Sequence, residues 1–180
     1  QVTKAQRRDA KVVNFGVLYG MGPHALAQNT GMGFGEAKRF IDQYFKLRHK
    51  IRQYIDQTLV QAREQGFVET FYGRRRPTPD VKSTNFAVRA SAERAAANMP
   101  IQGTEADLMK RAMIAVEEKL RLDGLGWQIL QIHDSILVEC PEDNAKKVAD
   151  MLVETMESIA PELPVKLKVD ADIGKNWQEV

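Results

Sequence analysis

Cysteine is almost missing from this 180-residue sequence: Cys140 stands alone, which excludes an internal disulfide framework and fits a reducing compartment. No run approaches the roughly 18 consecutive apolar residues that a membrane-spanning helix requires, so a soluble cytoplasmic protein is the expectation. An excess of one charge is missing too. Lys and Arg number 26 against 24 Asp and Glu, a formal net charge of +2, so any case for a polyanionic partner must rest on clustering and not on composition. Internal repeats and low-complexity segments are absent. So are an initiator Met and a signal-like opening: Gln1 leads almost directly into a patterned helix, which reads as an internal start and makes part of a larger protein the expectation. What is there is ordinary globular material, 43% hydrophobic and 28% charged, enough for one core or for a core with a helical appendage.

Thr3 followed by Gln6 is a capping-box pattern, and the periodic apolar residues behind it predict a helix from about Lys4 to Tyr19, ended by Gly20, Gly22 and Pro23. A short helix from about Pro23 to Asn29 stops at the glycine-rich "TGMGFG". From Glu36 to Glu64 the spacing of Phe40, Tyr44, Leu47, Ile51, Ile55 and Leu59 predicts one long amphipathic helix with room for a bend. "GFVETFYGRRRPTPD" reads as a strand pair or an extended turn. The Ala-rich run from Thr84 to Asn98 is helical, with a break expected at Pro100 and Gly103 before a further helix to about Leu122. "WQILQIHDSILVEC" reads as a hairpin with His133, Asp134 and Ser135 near its turn. A helix then opens at Pro141 and closes before Pro161, and "VKLKVDADI" alternates as a final strand.

Residues four apart on a helix advance by about 40° around the axis and about 6 Å along it, so Arg7, Lys11, Phe15 and Tyr19 form one slowly turning stripe. The cationic end is the helix N-terminus, where free N–H groups and the macrodipole favour anions. Phe15 follows about 12 Å from Arg7, a separation suited to a triphosphate at one end and a base or sugar against a ring. A helix with core rings and solvated cations fits the same stripe. Arg94, Asn98 and Gln102 repeat the spacing with long polar side chains, suited to minor-groove acceptors and sugar oxygens of a duplex, or simply to an exposed edge. Arg74, Arg75 and Arg76 fit phosphate contacts, a solvated turn or ion pairs. Asp134, between two apolar runs, is placed to hold a hard cation such as Mg²⁺, but two-metal phosphoryl transfer needs a further carboxylate and no spacing here supplies one. Asp170 and Asp172 alternate on the last predicted strand and read as solvated edge positions. His133 fits a hydrogen-bonded turn histidine, while His24 and His49 have no partner pattern.

"RRDAKVVNFGVLYG" resembles the nucleotide-binding fingers helix of the bacterial family A DNA polymerases, whose pattern is Arg-x-x-x-Lys-x-x-x-Phe-x-x-x-Tyr-Gly. "ETFYGRRRPTPD", "AERAAANMPIQGTEADLMKRAM" and "QIHDSILVECP" agree with the same family in the same order and extend the resemblance over nearly the whole chain. The resemblance implies an α+β fragment of a right-hand polymerase domain, with mainly helical fingers over residues 1–66 and the C-terminal part of the palm, carrying a small antiparallel sheet, over 67–180. It implies that Arg7 and Lys11 bind the incoming deoxynucleoside triphosphate, with Lys11 also placed on the departing pyrophosphate. Phe15 would pack on sugar and base, a Phe there going with poor acceptance of dideoxynucleotides. Tyr19 with Gly20 would govern entry of the template base. Arg89, Arg94, Asn98 and Gln102 would line the minor groove of primer-template DNA, His133 would lie near the primer terminus, and Asp134 would be one of two catalytic metal-binding aspartates, for two Mg²⁺ ions. A bacterial cytoplasmic, nucleoid-associated setting in replication and repair follows.

Two departures from the family pattern bear on activity. Its usual His-Asp-Glu is His-Asp-Ser here, Ser135 replacing an acidic residue, which puts the outer support of the metal site in question. Its other catalytic aspartate belongs to an Asp-Tyr-Ser-Gln-Ile-Glu type of motif that this sequence does not contain, so the chain by itself is expected to be inactive and to need the remaining polymerase domain as partner. Apolar surface meant for that domain would favour dimerisation of the isolated chain. A non-catalytic nucleotide- or nucleic-acid-binding module is the alternative, with Ser135 in its support. A metal phosphohydrolase is disfavoured because His133 and Asp134 have no companion ligands.

Overall fold

The computed structural model describes residues 2–180 and divides the chain into two units, Gln1–Ile101 and Gln102–Val180. In the first, α1 (Lys4–Leu18), α2 (Pro23–Thr30) and α3 (Phe34–Leu47) enclose Val17, Leu26, Ala37 and Tyr44, with Val13, Met21, Phe40, Ile41 and Phe45 packed around them. The side of α1 that enters this core is therefore the Val13–Val17 row. α4 (His49–Gln65) then leads into the antiparallel pair β1 (Phe67–Glu69) and β2 (Arg75–Pro77), in register Val68 with Arg76. A second core joins Ala62, Val68 and Val81 to Ala96 and Met99 of α5 (Phe86–Asp123).

The single long helix expected over Glu36–Glu64 is two helices. Arg48 leaves the helical region (φ −109°, ψ 50°), donates its N–H to the Tyr44 carbonyl at 3.0 Å and accepts from the N–H of Ile51 at 3.0 Å, closing α3 and opening α4 with one residue. Its guanidinium lies 4.3 Å from the centroid of the Tyr44 ring, which anchors the elbow, and Leu47 is turned out to solvent.

The break expected at Pro100 is also absent: α5 runs unbroken from Phe86 to Asp123 and crosses the division between the units. Proline inside a helix removes one intrahelical bond and costs about 3 kcal/mol. Tertiary packing offsets this, since Ala96 and Met99 are buried before it and Ala112, Val116 and Leu120 after it, on an Ala-rich sequence of high helix propensity.

In the second unit the C-terminal part of α5 packs with the hairpin β3 (Trp127–Ile132) and β4 (Ser135–Glu139) and with α6 (Ala145–Glu157) around Val116, Leu120, Leu125, Val148 and Met151. A 3-10 turn, Glu142–Asn144, precedes α6. The hairpin matches the sequence expectation, with an irregularity in register between Gln128 and Leu130. Its Trp127 and Ile129 are exposed. The final strand expected over Val165–Ile173 is not formed. Alternation only allows a strand, and a strand exists through its ladder. Among the described residues β3 and β4 pair with each other alone, and this segment is instead held by the Val169 N–H donating to Glu157 Oε1 at 3.1 Å. No helix among the described residues is long and apolar enough to cross a membrane.

Candidate nucleotide and nucleic-acid interface

The stripe on α1 is held at both ends by local chemistry. At the start, the Gln6 N–H donates to Thr3 Oγ1 at 3.2 Å and the Thr3 N–H to Gln6 Oε1 at 2.9 Å, a complete capping box. At the end, the Met21 N–H reaches the Gly16 carbonyl at 2.7 Å and the Gly20 N–H the Val17 carbonyl at 3.2 Å, while Gly20 takes φ +86°. These two bonds with a left-handed glycine make a Schellman cap. Met21 folds back over Gly16 so closely that a Cβ there would lie 2.4 Å from its Cε.

Between the caps, Arg7 and Lys11 are exposed, with no acidic side chain in the first turn among the described residues. The dipole acts within about one turn of a helix end, so its preference for an anion falls on Arg7, while Lys11 contributes by its own charge. Phe15 is 55% exposed, so it is not a core ring. It stacks on the half-buried Tyr19 with centroids 6.3 Å apart and 17° between the planes. An exposed ring of this size beside exposed cations leaves a flat apolar face and two positive charges free for the same ligand.

The edge of α5 begins where Asn85 caps it, its Oδ1 accepting from the N–H groups of Ala87 at 2.9 Å and Val88 at 3.3 Å. Arg89 is occupied locally, its Nη1 donating to the Ser83 carbonyl at 2.7 Å with the guanidinium 5.7 Å from the Phe86 ring, so it braces the entry to the helix. Glu93 accepts from Arg63 of α4 at 2.7 Å. Arg94 lies against Gly20, and its guanidinium is on an exposed residue. Asn98 is half-buried and Gln102 exposed, and with Arg94 they stand at four-residue intervals on an uninterrupted helix. Among the three consecutive arginines, Arg75 pairs with Glu69 at 3.3 Å and sits 4.4 Å over the Phe67 ring. The β1–β2 turn is tied by Thr70, whose buried Oγ1 accepts from the N–H groups of Tyr72 at 3.2 Å and Arg74 at 3.1 Å.

In the second unit, His133 and Asp134 are the two loop residues of the β3–β4 hairpin, since Ile132 pairs with Ser135. His133 has φ +50°, so a non-glycine residue takes the positive φ at the first loop position. Such strain of about 1–2 kcal/mol collects where side-chain placement matters. Its carbonyl is held by Gln131 Nε2 at 2.7 Å, and the Ser135 hydroxyl donates to the Ile132 carbonyl at 2.9 Å. Ser135 therefore closes the turn beneath Asp134, a bond that a Glu carboxylate, being an acceptor, would not make. The Asp134 carboxylate is exposed and has no hydrogen-bond partner among the described residues. Asp170 and Asp172 lie on the segment that forms no strand, exposed.

The family model for DNA polymerase family A matches residues 1–179. The chain belongs to this family. It is 46% identical over 178 residues to the thermostable DNA polymerase I of Thermus filiformis, covering 99% of this chain and 21% of that protein. Against the DNA polymerase I of Deinococcus radiodurans it is 47% identical over 173 residues, covering 96% of this chain and 18% of that one. It thus spans about a fifth of the length of these curated relatives. The polymerase domain of Pol1 from M. smegmatis, solved in complex with DNA primer-template and dNTP, matches with a TM-score of 0.86 and 38% identity over 93% of this chain and 30% of that one. As a family A chain it keeps the Arg-x-x-x-Lys-x-x-x-Phe-x-x-x-Tyr-Gly pattern from Arg7 to Gly20 intact and has Ser135 after Asp134. Three features of its site had no clear mark in the sequence: the Gly20–Arg94 contact, the Arg63–Glu93 pair and the hydroxyl of Thr70. The glycine of the Tyr-Gly pair was the one available signal.

Proposed function

We propose that this chain supplies the fingers, residues 1–66, and the C-terminal part of the palm, residues 67–180, of a template-directed DNA polymerase. The primer 3′-hydroxyl gives up its proton to solvent as its oxygen attacks the α-phosphorus of a deoxynucleoside triphosphate, the bond from that phosphorus to the bridging oxygen breaks, and pyrophosphate leaves. Arg7 and Lys11 hold the triphosphate, Lys11 facing the departing pyrophosphate, where a fixed cation offsets developing charge or delivers a proton. Phe15 packs on the nucleotide sugar and base, and Tyr19 controls the place of the template base. Arg89, Arg94, Asn98 and Gln102 face the minor groove, and His133 the primer terminus. Arg89 acts in part by bracing the start of α5. The observation that carries this reading is the order on α1: two exposed cations, then an exposed ring, on one capped helix.

The family's metal ions, when bound, activate the 3′-hydroxyl and neutralise phosphate charge. Asp134 suits one ligand of a hard cation such as Mg²⁺. Among the described residues no group of three His, Cys, Asp or Glu side chains is gathered that could hold a metal. The further carboxylate belongs to the remainder of the polymerase domain.

The test is primer extension with Mg²⁺ and all four deoxynucleoside triphosphates. The complete polymerase extends the primer, its Asp134→Asn variant binds primer-template but does not extend it, and the 180-residue chain alone does not extend it. Extension by the isolated chain, or by the variant at the parent rate, would overturn the assignment.

A further inference from the structure

Gly20 ends the helix assigned to the nucleotide, and Arg94 stands on the helix assigned to the duplex. The two touch inside one unit. A Cβ placed on Gly20 would lie 2.9 Å from Arg94 Cγ and 3.2 Å from Cδ, with the Arg94 Cβ at 3.9 Å. Cγ is the second carbon of the side chain, not its free end. Relieving so close an approach requires a change in χ1, and that swings the whole guanidinium to a new place. The space left by the missing methyl is thus the seat that sets where the Arg94 stem runs.

The neighbouring residue strengthens the joint. Glu93 is paired with Arg63 of α4 at 2.7 Å, so adjacent residues of α5 are fixed from two sides, by α4 and by the end of α1. The Schellman cap fixes Gly20 in turn, because its bonds from Gly20 and Met21 to Val17 and Gly16 hold the backbone that Arg94 rests on. With these restraints Arg94 loses little conformational freedom when it meets a ligand, which is the physical content of preorganisation.

We infer that Gly20 is a positioning residue for primer-template binding: its bare Cα seats the Arg94 stem and so couples the end of the nucleotide helix to the side chain that reaches the duplex. This rests on the assignment of α5 to the duplex. Glycine is required at this place for two separable reasons, the positive φ and the room for Arg94. Asparagine separates them, since it is the other residue commonly found in a left-handed helix cap and yet carries a Cβ.

The experiment is a double-mutant cycle in the complete polymerase, with Gly20→Asn, Arg94→Ala and the pair together, reading the dissociation constant for primer-template, the KM for primer-template and for deoxynucleoside triphosphate, and thermal melting. Arg94→Ala weakens primer-template binding about tenfold, the loss of one polar contact to the duplex. Gly20→Asn gives a loss of similar size that falls on the KM for primer-template and not on that for the nucleotide, and adding it to Arg94→Ala gives no further loss. Losses that multiply to about a hundredfold overturn the inference, because independent sites add in free energy. So does an unchanged affinity in Gly20→Asn while Arg94→Ala is weakened. If Arg94→Ala itself leaves affinity unchanged, the duplex assignment falls and the inference with it. Should Gly20→Asn melt too early to assay, its recovery in the Arg94→Ala background supports the seat, and failure in both backgrounds overturns it.

Discussion

Replacing Lys11 by alanine in the complete polymerase isolates one term of the proposed mechanism. Lys11 is exposed, no acid pairs with it among the described residues, and alanine is the strongest helix former, so stability should move by no more than about 0.5 kcal/mol. Any large effect is then functional. One helical turn, about 6 Å, separates Lys11 from Arg7 on one side and from Phe15 on the other, so a triphosphate held at Arg7 with its base on Phe15 passes the ammonium group along its length. Removing a fixed donor from a developing oxyanion costs about 2.7–4 kcal/mol, hence a fall of roughly 10²–10³ in kcat. The measurement is single-turnover incorporation by rapid quench at saturating nucleotide, beside primer-template affinity by fluorescence anisotropy. Lys11→Ala should lose the rate and keep the affinity within about threefold, while Arg94→Ala chiefly loses affinity. A rate within tenfold of the parent, or equal losses of DNA affinity in both variants, would refute the division of roles between α1 and α5.

Three further outcomes follow from the packing and the caps. Thr3→Ala removes the acceptor for the Gln6 N–H at 3.2 Å and should destabilise the start of α1 by about 1 kcal/mol, read as faster hydrogen exchange of the first-turn amides, and unchanged protection would count against the cap. Leu120, 1% exposed between Val116, Leu125, Val148 and Met151, should cost about 2–5 kcal/mol when cut to alanine, read as a lower denaturation midpoint, and an unchanged midpoint would refute its place in the core. Partial burial of Tyr54, which is still 38% exposed, raises the pKa of its phenol above the ordinary value. The neutral form is the one favoured by folding, so this contribution to stability is whole below the unfolded value of about 10 and is lost as pH climbs through the raised one. An alkaline absorbance titration of Tyr54→Phe should lack a phenol that ionises above the ordinary range. Loss of one that ionises at or below that range would contradict the upward shift.

Much of the architecture was legible wherever a short stretch decides its own conformation. Thr3 and Gln6 mark a capping box because both partners lie within one turn. The hairpin with His133 and Asp134 at its tip follows from two apolar runs around a polar centre. The readings that failed depended on what a segment meets elsewhere. Apolar spacing over 36–64 is continuous through Arg48, but Tyr44 and Ile51 serve separate helices, and the elbow stands on a ring contact. Pro100 is a helix breaker in isolation and is overruled by the buried residues on either side. Alternation over 165–173 meets no ladder partner among the described residues and stays without one.

By itself the sequence determined the family, the stripe from Arg7 to Tyr19, the cap that starts it and the hairpin that carries Asp134, because each is written in residues a few places apart. Only the tertiary structure decided that Phe15 is exposed while Val13 and Val17 take the core, that Ser135 closes the turn beneath Asp134, and that Gly20 makes room for Arg94. Side-chain periodicity tells which residues share a face, but which face is covered, and by which distant side chain, is settled by packing between elements far apart in the chain.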